Sequence, residues 1–220
     1  MTHSNEELIE ELVDLGYLKS EGLIETFRAI DRKGFVPPDV LSVAYINEPL
    51  PIGYGQTISQ PLTVAFMLEL LDLRGGDKVL EIGSGSGWQT ALIAHMIELA
   101  GGAAQDPDGR YGMVAMEIIP QLASMTKKNI TPHGFIERGV VRVVLGDGSL
   151  GYEGEAPYDK IIAAAAADGI PESWKEQLKI GGRIVAPVRH SIVVLDKKDK
   201  KEFEQKEFFG FAFVPLVKEK

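Results

Sequence analysis

The chain has no cysteine, which excludes disulfides, thiolate metal sites and cysteine nucleophiles and is compatible with a reducing compartment. No apolar stretch reaches the length of a membrane span. Met1 opens a polar, acidic segment instead of a basic one followed by an apolar run, so no signal peptide is expected and a cytoplasmic setting is. Positive charge is in deficit: 23 Lys and Arg stand against 32 Asp and Glu, a formal net charge of -9. Affinity for nucleic acid rests largely on clustered Lys and Arg. The lysines at 197, 198, 200 and 201 are interleaved with Asp196, Asp199 and Glu202 and read as a solvated turn, so no nucleic-acid partner is expected. The histidines His3, His95, His133 and His190 show no metal spacing, and no metal is expected. There is no Gly-Lys-Ser/Thr triplet of a phosphate loop and no G-x-S-x-G elbow of a serine hydrolase.

What is present suits one α/β domain: 220 residues, 45% of them apolar. Ser4 or Asn5 can cap a first helix carrying Leu8, Ile9, Leu12, Val13 and Leu15, and Ser20 a second carrying Leu23, Ile24, Phe27 and Ile30. From Phe35 to Pro61 prolines and glycines remove donors and interrupt any long element, which predicts an ordered loop lying on the domain. A helix with Val64, Met67, Leu68 and Leu71 on one face follows Pro61. Then strands at about 78–82, 111–116, 140–145, 160–164 and 182–186 alternate with helices at about 89–99 and 120–129. That alternation predicts a doubly wound, mainly parallel Rossmann-like sheet of about seven strands. Residues 192–195 and 208–214 are expected to finish it as an antiparallel hairpin. The divisions expected are a helical cap and loop region (1–60), a core (61–190) and the hairpin (191–220).

In such sheets ligands collect beyond the carboxyl ends of the strands. Glu81-Ile82-Gly83-Ser84-Gly85-Ser86-Gly87 lies there, and its glycines let backbone amides approach a ligand while the next helix turns its positive end to an anionic group. A dinucleotide fingerprint would need glycines at 83, 85 and 88, but residue 88 is Trp, which argues against a nicotinamide-dependent reductase. Glu117 ends the next strand, where a carboxylate can accept from ribose hydroxyls; a polar insertion at Gly101–Arg110 accounts for its distance from the loop. Asp147 ends the strand after that, where it can accept from an adenine amino group. The three acids together read as a nucleoside site; each alone is more often a surface residue.

Glu81–Gly87, Glu117 and Gly146–Gly148 resemble the cofactor motifs of class I methyltransferases that use S-adenosylmethionine. Ala44-Tyr45, Pro49–Gly53 and Gly55–Pro61 are similar to the segment preceding those motifs in the protein-L-isoaspartate (D-aspartate) O-methyltransferase family. So are Tyr158-Asp159 with Ala163–Ala167, Gln177–Lys179 with Gly181–Arg183, and Phe213–Leu216. The resemblance runs over nearly the whole chain in order. It implies a repair enzyme that methylates the free α-carboxylate of L-isoaspartyl, or the side-chain carboxylate of D-aspartyl, residues in damaged proteins and peptides. S-adenosylmethionine is the implied donor and S-adenosylhomocysteine the product, with a monomer expected.

By the same resemblance Ser59 is the catalytic serine, its hydroxyl holding the acceptor carboxylate; the alternative is that Ser59 caps the helix at Pro61. Cofactor contacts are implied for Thr57, Ile58, Ser59, Glu81, Gly83, Ser84, Gly85, Gly87, Glu117, Asp147 and Gly148, and acceptor contacts for Tyr45, Ile52 and Gly53, against ordinary loop packing. Trp88 caps the pocket or packs behind the glycine loop. The pattern departs from the family at Arg189-His190-Ser191, a shortened loop, and at Val217, both expected on the acceptor side. Two other readings stay open: a carboxyl methyltransferase of the same fold with another peptide or small-molecule acceptor, and a non-catalytic module that only binds the nucleoside.

Overall fold

Ser4 Oγ accepts from the Glu7 amide while the Glu7 carboxylate accepts from the Ser4 amide, and this reciprocal cap starts α1 (Asn5–Asp14). The computed structural model describes residues 4–101 and 112–218. Leu8, Ile9 and Leu12 of α1 are buried; Val13 and Leu15, predicted to share their face, are exposed. Ser20 precedes α2 (Glu21–Ala29) without capping it through its side chain. Its hydroxyl and the amides of Lys19 and Ser20 instead donate to Glu69 Oε1 at 3.1, 2.7 and 2.8 Å.

The proline-rich segment is ordered and carries no long element. It makes two 3-10 turns, Arg32–Phe35 and Pro38–Val43, and then a short hairpin of β1 (Leu50–Gly53) and β2 (Gln56–Ile58). The hairpin, not foreseen, turns through Tyr54 and Gly55 with φ of 54° and 71°, the left-handed pair that suits a two-residue hairpin turn. α3 (Pro61–Leu71) follows with Pro61 at its first position. The Leu62 amide in its first turn donates to Asn47 Oδ1 at 3.0 Å, a cap supplied from fifteen residues away in sequence.

After β3 (Val79–Ile82) come α4 (Trp88–Leu99), β4 (Met113–Glu117), α5 (Pro120–Ile130), β5 (Val141–Leu145), β6 (Tyr158–Ala163), α6 (Glu172–Gln177), β7 (Leu178–Val188), β8 (Ser191–Lys197) and β9 (Phe203–Phe209). The sheet order is β5-β4-β3-β6-β7-β8-β9. Strands β5 to β7 run parallel, whereas β8 and β9 pair antiparallel. The chain builds outward from β3 to β5, then returns to place β6 on the other side of β3. That reversal opens a crevice between the carboxyl ends of β3 and β6.

Strand side chains alternate between two cores. Val79, Ala115, Ile162 and Val185 pack with α1 to α5, whereas Leu80, Ile82, Val114, Ile161 and Ile184 pack with Trp174 of α6. The last strand lies earlier than predicted, at Phe203–Phe209 and not 208–214. At the sheet edge Glu204, Gln205, Lys206 and Glu207 are exposed, so β9 carries little apolar signal. The apolar run beyond it leaves the sheet at Gly210 (φ 97°), and Val214–Leu216 lies beside Ala166, with Ala166 donating to Val214 and Leu216 donating to Ala166 at 2.8 Å each. The polar insertion read at Gly101–Arg110 falls, apart from Gly101, outside the described residues, as do Tyr111 and His3.

Replacing Glu69 by Ala takes away the acceptor of three donors at the start of α2. We expect a loss of about 1–2 kcal/mol in unfolding free energy by urea titration; an unchanged midpoint would show that these bonds are exchanged for water at no cost.

Candidate active site

The turn from β3 to α4 has three glycines at positive φ, Gly83 (85°), Gly85 (53°) and Gly87 (86°), where side-chain residues are strained. It hangs from β4: the amides of Gly83 and Ser84 both donate to the Met116 carbonyl, at 2.9 and 3.0 Å. The Gly85 amide donates to Glu117 Oε2 at 2.9 Å, and the amides of Ile118 and Ile119 donate to Oε1 at 3.0 Å each. A carboxylate has about four lone-pair sites, so this pattern leaves Glu117 room for a ligand hydroxyl. From α5, Thr126 donates to the Gly85 carbonyl at 3.0 Å and accepts from Ser84 at 2.8 Å, and Asn129 donates to the Ser86 carbonyl at 2.9 Å.

A crevice with about 580 Å³ of empty space, open solvent at its mouth included, lies over this turn. Gly83, Gly85, Gly146, Gly148 and Glu117 line it, with Met116, Ile118, Ile119 and Leu122 as its apolar wall. The far side is made by Gln56, Thr57, Ala164, Ala165 and the segment Val214–Val217. A Cβ on Gly148 would stand 2.5 Å from Ile82 Cγ2, so the bare backbone there is required by packing. Asp147, just before it, is half-buried and accepts from the Ser149 amide at 2.8 Å.

A second groove adjoins the crevice. Thr57, Ala164 and Val214 line both cavities, and Ser59 lines the groove alone, beside Gln60, Leu62 and Thr63 at the start of α3. Its other walls are Tyr17, Pro49 and the stretch from Phe209 to Val214. Phe66 lies beneath, stacked on Phe211 at 5.5 Å and edge-on to Tyr17 at 5.4 Å.

A family model described as protein-L-isoaspartate(D-aspartate) O-methyltransferase matches residues 3–220. The chain belongs to that family. It is 43% identical to the protein-L-isoaspartate O-methyltransferase of Methanopyrus kandleri over 98% of this chain and 92% of that protein. With the enzyme of the same name from Ignicoccus hospitalis it shares 41% over the full length of both. In fold it matches a crystal structure of a putative member from Plasmodium falciparum in complex with S-adenosyl-L-homocysteine, with TM-score 0.86 and 22% identity over 99% of this chain and 100% of that one.

Within this family member the residues singled out from sequence divide into groups. Thr57, Gly83, Gly85, Glu117 and Gly148 line the crevice, and Ser59 and Thr57 the groove. Ser84 and Gly87 shape the turn from behind: Ser84 is buried against Thr126, and a Cβ on Gly87 would meet the Thr126 Cα at 3.2 Å. Ile58 and Ile52 are buried, and a Cβ on Gly85 would touch Ile52 Cδ1 at 3.4 Å. Gly53 ends β1, paired with Gln56 across the hairpin turn. Tyr45 lies outside both linings; its hydroxyl donates to Asp31 Oδ2 at 2.9 Å, and burial, with Asp31, pushes it up to about 12.

Trp88 packs behind the turn, fully buried, its Nε1 donating to the Ile30 carbonyl at 3.2 Å. Val217, expected on the acceptor side, lines the crevice instead, because the segment from Val214 crosses the mouth of β6. Sequence reasoning missed Thr126, Asn129 and the wall Ile118–Leu122. The first two act as hydrogen-bonding groups facing inward from α5, a signal no local motif carries.

Glu81 is fully buried beneath the turn, outside the crevice lining, where Thr90 Oγ1 and Gln89 Nε2 donate to it at 2.6 and 3.1 Å. Burial pushes its carboxyl up to about 7, partly offset by Thr90 and Gln89 and reinforced by Glu117. A raised folded pKa means the folded state keeps a proton that the unfolded chain has released, so stability falls as pH rises through that window. In ligand-free protein, wild type should lose about 2 kcal/mol of unfolding free energy relative to Glu81→Gln between pH 5.5 and 8.5. Parallel pH profiles would show that Glu81 does not titrate there.

Proposed function

We propose that the chain transfers the methyl group of S-adenosylmethionine to the free α-carboxylate of L-isoaspartyl residues, or the side-chain carboxylate of D-aspartyl residues, in damaged proteins and peptides. The observation that carries this reading is the shared wall: Thr57, Ala164 and Val214 line both the crevice over the glycine turn and the groove that holds Ser59. The crevice fits the donor. Gly83, Gly85 and Gly148 bring main chain to its lining, Met116, Ile118 and Leu122 offer a flat base an apolar wall, and Glu117 can take a ribose hydroxyl. When bound, S-adenosylmethionine supplies an electrophilic methyl group.

An acceptor carboxylate, with an ordinary pKa near ~4, is ionised at neutral pH and needs no general base. The protein's task is to hold and desolvate it. Ser59 is the catalytic residue in this reading: half-buried in the groove, its hydroxyl has no hydrogen-bond partner among the described residues and is free to donate to the acceptor. It does not cap α3, whose flanking position is Gln60 and whose Leu62 amide is taken by Asn47. The positive end of α3 lies in the same groove and favours a carboxylate. Tyr17, Leu62, Phe211 and Phe213 limit its contact with water. We take the enzyme to work in the cytoplasm, in keeping with its cysteine-free sequence, and as a monomer. No helix among the described residues is long and apolar enough to cross a membrane.

The test is labelled methyl transfer to an isoaspartyl peptide beside its normal aspartyl isomer, with only the former expected to be methylated. Ser59→Ala should lower kcat by roughly tenfold to a hundredfold while leaving S-adenosylhomocysteine affinity within about threefold by calorimetry. Equal turnover by the two proteins removes the role given to Ser59; equal labelling of the two peptides removes the acceptor assignment.

A further inference from the structure

Arg32 is completely buried, yet among the described residues no carboxylate pairs with it. Its partners are four backbone carbonyls. Nη1 donates to Ala44 at 2.7 Å and Ile46 at 3.0 Å, and Nη2 donates to Glu48 at 2.9 Å and Ser59 at 3.2 Å. Its Cζ lies over the Trp88 ring, 5.3 Å from the centroid, and Nε has no hydrogen-bond partner among the described residues. Burial pulls the guanidinium down to about 10, which leaves it charged at neutral pH. A buried cation with an unmet donor is costly, and aliphatic packing of similar volume would serve stability as well or better. What an aliphatic side chain cannot do is hold four carbonyls from two separate stretches of chain in one plane.

Those stretches are not arbitrary. Ser59 carries the hydroxyl that the proposed reaction uses, and residues 44–48 lead into the hairpin that shapes the wall shared by both cavities. Trp88 is the first residue of α4, directly after the glycine turn. One guanidinium therefore touches the carbonyl of the acceptor-side serine and the ring at the root of the donor-side turn. We infer that Arg32 is a positioning residue for methyl transfer, fixing Ser59 relative to the glycine turn so that acceptor and donor meet in line. Asp31 acts alongside it: its Oδ1 accepts from the Lys33 amide at 2.9 Å and its Oδ2 from Tyr45 at 2.9 Å, so neighbouring residues secure both edges of the same loop.

The kinetic part rests on the function proposed above, so the test includes a readout that does not. In Arg32→Lys a single ammonium cannot reach all four carbonyls; Arg32→Ala leaves a cavity that free guanidinium can enter. Both variants should keep S-adenosylhomocysteine affinity and peptide KM within about threefold while kcat falls about a hundredfold, the size of effect that a misplacement near 1 Å produces. Guanidinium chloride, well below denaturing concentration, should restore kcat of Arg32→Ala at least tenfold. By hydrogen exchange, amides of 44–48 and 58–60 should exchange at least tenfold faster in Arg32→Lys while those of 83–87 stay protected.

A purely structural role predicts a different pattern: cofactor affinity falls in step with kcat, guanidinium does not help, and the glycine turn loses protection with the loop. That pattern, or wild-type kcat in both variants, overturns the inference. Should Arg32→Ala fail to fold, Arg32→Lys decides the matter through its kcat-against-KM split and its exchange pattern. Should wild type methylate no isoaspartyl peptide, the functional reading fails, and the exchange result still supports or refutes the anchoring by Arg32.

Discussion

The site depends on one suspension: two successive amides, of Gly83 and Ser84, on the single carbonyl of Met116. That carbonyl belongs to the strand next to β3, so the glycine turn is a continuation of the β3–β4 ladder and not a free loop. Glu117 extends the same ladder by one residue, taking the Gly85 amide into its carboxylate. Because parallel pairing sets Ile82 opposite Met116, a slip of one residue would move the acid, the carbonyl and the turn out of reach together. The geometry of the donor crevice is thus a matter of strand register, which the buried alternation of Leu80, Ile82, Val114 and Met116 enforces.

The parts of this arrangement that could be read from the chain are those in which local pattern and function coincide. Short apolar runs ending in an acid or a glycine placed β3, β4 and β5, and hence the crevice, near where they lie. Proline and glycine spacing marked the segment before α3 as ordered and irregular. Ser59 was singled out by resemblance to a family motif, not by any chemical signal in its neighbours, since a serine before a proline is an ordinary helix start.

What stayed hidden has a common physical cause: the partner lies far away in sequence. Asn47 caps α3, and Glu69 ties down Lys19 and Ser20 just before α2. Neither looks different from a surface polar residue. Glu81 sits in a cofactor-like motif yet is enclosed by Thr90 and Gln89 from α4, because strand alternation turns it away from the crevice that its neighbours Ile82 and Gly83 line. The final strand was misplaced because hydrophobicity marks burial, and an edge strand has little of it. The apolar residues after Gly210 are apolar for another reason: they leave the sheet to wall two cavities.

That edge has a further effect. Glu204, Gln205, Lys206 and Glu207 alternate along β9 with every one of their side chains in solvent. An open strand offers unpaired amides and carbonyls to any extended polypeptide nearby, and charged, strongly hydrated side chains are what make such docking unfavourable. A chain adding itself beyond β9 as an eighth strand would have to strip water from charged side chains on both faces of the sheet, so this edge resists extension.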